Sequence, residues 1–203
     1  MSRHETAPSE YAIGGERFLT AEMNTIIASV AAELGNESVS QSLHFSTGVI
    51  NRLQRQMTLG CSLVSDTRLI LPMLDRNACS KLPVRLECFI DDPRVVSLAT
   101  QKRVTRAEIA AERALALPGS KILLIGSAPM ALSRILQAHK QVPLVETTVV
   151  AAVSGFANVV DLKERLWDSG LPCIVVRGRA GGPPAAIAIA NALMKMFSPK
   201  SDN

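Results

Sequence analysis

The chain has 203 residues, a net charge of +4, 47% hydrophobic and 20% charged residues, a balance that builds a core without disulfides and excludes a disordered chain. Aromatic residues make up only 3% and no Lys/Arg run forms a basic patch, which argues against base-stacking nucleic-acid platforms and leaves an anionic small molecule as the better-suited partner. The cysteines Cys61, Cys79, Cys88 and Cys173 show no CxxC spacing and histidine is scarce, so no zinc cluster is expected, and four small core thiols in a reducing compartment are.

One domain over residues 1–203 is expected, with about 1–16 flexible. The opening MSRHETAPSEYAIGGE lacks the apolar core of a signal peptide. The longest apolar stretch, LVETTVVAAV, is too short to span a bilayer. Both point to a cytoplasmic protein with no membrane contact. From Thr20, Met23, Ile26, Ile27, Val30 and Leu34 fall on one helical stripe, which Gly35-Asn36 stops. A second helix is predicted over 46–59, opening at Ser46 with Val49, Ile50, Leu53 and Met57 inward and ended by Gly60. CSLVSD and VRLECFI are predicted strands that stop at Asp66 and before Asp91-Asp92-Pro93. A short helix over 93–101 follows. Thr105 and Glu108 then form a capping box, opening a helix that runs to Leu117 before Pro118-Gly119.

The remainder alternates regularly. KILLIG, LVETTVVAAV and PCIVVRG are strands; SAPMALSRILQAH, VVDLKERLWDSG and PPAAIAIANALMKMF are helices. Strands apolar on both faces, alternating with helices, predict an α/β fold: three layers, a mostly parallel sheet with helices on both faces. Ligands in such sheets sit beyond the carboxyl ends of the strands. Those ends carry Asp66, Asp91, Gly126-Ser127, Ser154-Gly155-Phe156 and Arg177-Gly178-Arg179.

The loop RGRAGGPP joins the last strand to the last helix. A helix start offers free N–H groups and partial positive charge to an anion, and Gly178, Gly181 and Gly182 let a backbone approach a ligand. The loop matches neither GxGxxG nor GxxxxGK[ST], and Pro183 and Pro184 remove two donors that a phosphate cradle would use. A plain strand–helix turn needing positive φ accounts for the glycines equally well. The turns at Ser127 and at Ser154-Gly155-Phe156 belong on the same edge, and together the three make a polar shelf of anion-binding character.

Several blocks carry a resemblance. They are Leu43-His-Phe-Ser46, Ser65-Asp-Thr67, Thr105-Arg106, Ile125-Gly-Ser-Ala-Pro-Met-Ala-Leu132, Val153-Ser-Gly-Phe156, Lys163, Arg177-Gly-Arg-Ala-Gly-Gly182 and Asn191-Ala-Leu193. In order and spacing over roughly 40–197 the chain resembles the precorrin-8X methylmutases (precorrin isomerases) of corrin-ring biosynthesis, whose corresponding motifs include LRFS, GNAPTAL, PVGF and RGRKGGS. The resemblance implies an isomerase that shifts a methyl group between neighbouring carbons of a tetrapyrrole, turning precorrin-8X into hydrogenobyrinic acid, or the cobalt form likewise. It implies no metal or nucleotide cofactor, and a homodimer with its site near the subunit interface. It also implies a substrate-binding set of Asp66, Thr67, Thr105, Arg106, Ser127, Ser154, Gly155, Phe156, Arg177, Gly178, Arg179, Gly181 and Gly182. Arginines and loop N–H groups suit the many carboxylates of a corrin precursor.

One departure stands out. The family's catalytic histidine, thought to protonate the ring, lies some dozen residues before its LRFS block. Aligned back from Phe45-Ser46, that column falls at Ala32 or Glu33, and the aspartate column near Asn36. Tyr11 is only a loose match to an N-terminal family tyrosine. Three readings stay open. Glu33 could act as the acid, if an apolar pocket raises its pKa. His44 could take the role, since histidine titrates in the useful range. Or the protein binds a tetrapyrrole without isomerising it.

Overall fold

A computed structural model describes residues 19–199. The flexible segment expected over about 1–16, with Tyr11, lies outside the described residues. Six strands form one sheet in the order β1-β6-β5-β4-β2-β3. They are β1 (Leu43–Phe45), β2 (Cys61–Ser65), β3 (Val84–Glu87), β4 (Lys121–Ile125), β5 (Thr147–Ala151) and β6 (Cys173–Val176). All neighbours run parallel except β1, which pairs antiparallel with β6, Leu43 opposite Val176 and Phe45 opposite Ile174.

Helices cover both faces, as the alternation of apolar strands and amphipathic helices predicts. One face packs α1 (Ala21–Leu34), α3 (Val49–Leu59), α4 (Arg76–Ser80) and α9 (Pro183–Phe197) on Leu43, Phe45, Leu63, Leu124, Val150 and Ile174. The other packs α5 (Pro93–Lys102), α6 (Arg106–Leu115), α7 (Pro129–Gln141) and α8 (Ala157–Asp168) on Val64, Leu123, Ile125, Val149 and Val175. Adjacent strand residues thus feed opposite cores, which is why these strands are apolar throughout. Among the described residues no helix is long and apolar enough to cross a membrane.

Helix ends follow their local chemistry. The Thr20 hydroxyl accepts from the Met23 N–H, and Gly35 closes α1 in the left-handed region at φ 59°. Thr105 and Glu108 form both bonds of the capping box that opens α6. Two prolines fill the first turn of α9, where no intrahelical donor is needed. Short α2 (Glu37–Gln41), α4 and a 3₁₀ turn over Leu71–Met73 carried too little periodicity to be predicted.

The second helix begins later than Ser46 predicts. Its first residue is Val49, capped by Gly48 at φ 72°. Ser46 is instead held at the sheet edge: its N–H donates to the Cys173 carbonyl (2.9 Å) and its hydroxyl accepts from the Cys173 N–H (2.8 Å). The preceding three residues form β1, so His44 is a strand residue and does not lead a helix. A three-residue strand is too short to reveal itself by alternation; partners 127 or more residues away in sequence create it.

Chain order places β3 and β4 on opposite sides of β2, so the crossovers diverge between β2 and β4. That divergence opens a crevice at the carboxyl ends of these two strands. Phe45 anchors the antiparallel edge and is fully buried. Phe45→Ala is expected to cost about 3–5 kcal/mol of unfolding free energy in urea denaturation. A loss under about 1 kcal/mol would show that β1 contributes little to the fold.

Candidate functional site

The strand-end edge carries two built features of opposite charge. The first is Asp66, just past β2. Its carboxylate receives the N–H groups of Gly126 (3.1 Å), Ser127 (2.7 Å) and Ala128 (2.6 Å). Burial pushes its pKa up, while those three donors hold it down. Ala128 supplies no side-chain cap to α7, so Asp66 supplies it across the crevice. The N–H groups expected on a shared anion shelf at Ser127 and Ala128 are therefore occupied by a carboxylate of the protein itself. A cavity of about 20 Å³, near one water in size, lies beneath Asp66 among Ala107, Ala110, Ala111 and Ile135.

The second feature is Lys163 on α8, fully buried on the apolar stripe with Val159 and Leu166. Its ammonium donates to the carbonyls of Gly178 and Ala180, each at 2.8 Å. Those carbonyls belong to the loop between β6 and α9. The loop is packed against β5: the Gly182 N–H donates to the Ala152 carbonyl (2.5 Å), and the Gly155 N–H donates to the Arg179 carbonyl (3.2 Å). A Cβ on Gly181, at φ 136°, would lie 2.1 Å from the Ala152 oxygen, so glycine is required there for contact as well as conformation.

The predicted site residues separate into three groups. Ser127, Ser154, Phe156 and Arg179 are exposed on the edge, Phe156 at 78%, with Met130 beside Pro129 also exposed. Gly155, Gly178, Gly181 and Gly182 shape the backbone between them. At the far end, Asp91 pairs with both Arg106 (3.0 Å) and Arg68 (2.8 Å), one carboxylate shared by two guanidiniums. Thr105 is committed to its capping box, and the Thr67 hydroxyl accepts from the Leu69 N–H (3.4 Å).

Arg177 is engaged within the protein. Its Nε donates to Glu164 Oε1 at 2.9 Å, Nη2 bonds Oε2 of the same carboxylate, and the guanidinium lies 5.7 Å over the Trp167 ring. His44 sits on β1 opposite Val175, edge-on to the same Trp167 at 5.6 Å. Glu33 is exposed near the end of α1, accepting from Asn191 Nδ2 (3.0 Å). Asn191 lies eight residues beyond Pro183, about 12 Å along α9 from the glycine loop. Glu33 faces a polar cleft with Ser29, Asp75 and Lys195, not an apolar pocket.

Sequence reasoning did not assign a role to Arg68 or to Lys163. The signal for Lys163 was present: an ammonium at i+4 from Val159 and three residues before Leu166 interrupts an apolar stripe. Among the described residues no group of three His, Cys, Asp or Glu side chains could hold a metal. None of the four cysteines forms a disulfide among the described residues, and Cys61 and Cys173 are buried in the core.

Burial pushes the Lys163 ammonium down to about 8, against the pull of neighbouring Glu164. Unfolded lysine titrates near 10.4. Between those values the unfolded chain holds a proton that the folded one has lost, so this group makes stability rise with pH. The gain from about pH 8 to 10.4 is expected to be on the order of 1–3 kcal/mol. Melting curves of the wild type and Lys163→Met across that window test it: the difference should change with pH in favour of the wild type. A constant difference would refute the shift.

A family model for precorrin-8X methylmutase matches residues 7–196. Cobalt-precorrin-8 methylmutase of Salmonella typhimurium is 32% identical over 75% of this chain and 71% of that relative. The cobalt-precorrin-8 methylmutase of Methanothermobacter thermautotrophicus is 26% identical over 86% of this chain and 81% of its own. A solved structure titled precorrin-8X methylmutase related protein superposes with a TM-score of 0.82 at 22% identity, covering 89% of this chain and 95% of that one. The precorrin-8X methylmutase structure from Thermus thermophilus gives a TM-score of 0.79, covering 90% of each chain. With the matched model spanning nearly the whole length, this chain belongs to the precorrin-8X methylmutase family.

Proposed function

We propose that the protein is an isomerase of corrin biosynthesis that moves a methyl group between neighbouring ring carbons of precorrin-8X, or its cobalt form, yielding hydrogenobyrinic acid or the cobalt equivalent. One carbon–carbon bond breaks and one forms, so the step needs neither oxidant nor cofactor, only a held ring and a proton that biases its electrons. Family membership supports the reaction class. The observation that carries the substrate class is Arg179: its guanidinium is exposed, without a protein partner among the described residues, on a loop bonded to Gly155 beside the exposed Phe156. A free cation next to an apolar face suits a macrocycle whose rim is carboxylate and whose face is not.

On this reading Ser127 and Ser154 offer hydroxyls to the carboxylate rim, and Arg106 with Arg68 adds positive charge at the other end. Asp66 and Arg177 serve by holding the edge in shape. Gly178, Gly181 and Gly182 bring the backbone close, and Thr67 and Thr105 fix the turns behind Arg68 and Arg106. The edge is open: Phe156, Leu69 and Met73 are 78%, 67% and 63% exposed. An open apolar edge favours a homodimer in which a second copy completes the site, working as one domain in the cytoplasm without nucleic acid or membrane.

A second reading has a specific observation behind it. Neither acid candidate lies on the loop: Glu33 is bonded to Asn191, and His44 packs edge-on to Trp167. A relative that binds the tetrapyrrole without isomerising it would need no acid there.

Absorbance titration with hydrogenobyrinic acid, then anaerobic incubation with precorrin-8X, separates these. Binding with turnover supports the isomerase, and binding alone supports the carrier. No binding removes both. Arg179→Ala is expected to weaken binding about tenfold or more, as for loss of a charge-assisted hydrogen bond, with an unchanged melt. Light scattering should give twice the chain mass, and a monomer mass would refute the dimer.

A further inference from the structure

We propose that Lys163 is the positioning residue of the substrate loop: from beneath, its ammonium fixes the carbonyls of Gly178 and Ala180 inward and so turns the N–H groups of Arg179 and Gly181 outward, forming with the Arg179 guanidinium a single carboxylate receptor. The inference deepens the corrin-binding reading and rests on it.

The geometry follows from the peptide bond. Among the described residues every peptide is trans, and in a trans unit the carbonyl of one residue and the N–H of the next point in opposite directions. The Gly178 carbonyl accepts from Lys163 Nζ at 2.8 Å, so the Arg179 N–H points away from the ammonium. The Ala180 carbonyl accepts at 2.8 Å, so the Gly181 N–H points away too. Neither of these N–H groups donates to another protein group among the described residues, whereas the Gly182 N–H is used by Ala152. Both donors, separated by Ala180 and flanked by Gly178 and Gly181 at positive φ, therefore face away from the ammonium and are unused by the protein among the described residues.

The ammonium has reason to stay. It is fully buried, and burying a cation is costly unless its donors are used. The adjacent carboxylate, Glu164, is taken by Arg177. The two loop carbonyls are therefore its hydrogen-bond acceptors among the described residues, and they couple its position to theirs. An apolar residue of the same length would fill the space and release both carbonyls, letting the peptide planes turn. Lys163 touches no substrate on this account; it acts through the loop.

The test is a double-substitution cycle read with hydrogenobyrinic acid, together with ¹H–¹⁵N spectra of the ligand-free protein. In the wild-type background Arg179→Ala should weaken binding about tenfold; in the Lys163→Met background it should weaken binding by less than about twofold, because the receptor is already lost. Equal, additive effects in both backgrounds would overturn the proposal, since a residue that merely supports the fold leaves the Arg179 contribution intact. Lys163→Arg, which keeps charge and donors, should restore the coupling. Without ligand, Lys163→Met should move or broaden the amide signals of residues 178–182 while those of β5 and β4 stay in place. Unchanged loop signals would equally overturn it. Should Lys163→Met not fold, Lys163→Gln takes its place, expected to retain part of the coupling. If the wild type fails to bind hydrogenobyrinic acid, the functional reading falls, and the loop spectra still decide the role of Lys163.

Discussion

The ammonium of Lys163, sealed under the loop between β6 and α9, is the interaction on which the open end of the sheet depends. A parallel sheet delivers all its strands to one edge, but the edge is only as ordered as the loops that leave it. This loop has six residues of irregular backbone, 177–182, its three glycines all at positive φ, and little side chain to pack. Two carbonyls held from below, and two backbone bonds to residues 152–155, give it a defined shape that its own composition would not.

The edge divides by charge. At the crevice between β2 and β4, the start of α7 would attract an anion, and Asp66 occupies it with three N–H bonds. That helix end is satisfied internally. Two strands away, the start of α9 carries prolines instead of donors, and the loop before it holds a buried cation and an exposed one. The sheet thus caps one helix start with its own carboxylate and leaves an exposed cation, Arg179, before the other.

Much of the architecture was legible from periodicity. The long elements from α1 onward, the capping box at Thr105 and the strand runs KILLIG, TTVVA and CIVV reflect local rules: apolar spacing, caps and breakers within a few residues. β1 was not legible as a strand, because three residues carry no alternation and its existence depends on pairing with β6. Ser46 resembled a helix cap by type, yet its hydroxyl is spent on Cys173. The strand-end edge was also legible as the place to expect a site, since that expectation follows from fold class alone.

The partners of the site's charges were not. In the sequence Arg177 and Arg179 look alike, two residues apart on a glycine loop. Only the folded chain assigns one to Glu164 and Trp167 and leaves the other exposed, because α8 brings a carboxylate and an indole to the Arg177 guanidinium and no side-chain partner reaches that of Arg179 among the described residues. Asp66 could equally have been a ligand or a cap until β4 brought three N–H groups to it from sixty residues away. The sequence by itself determined the layers, the sheet and the edge where chemistry is to be expected, since these depend on short-range patterns of polarity. The tertiary structure alone decided which charges on that edge are spent and which remain available, because hydrogen-bond partners distant in the chain are set by packing and not by spacing.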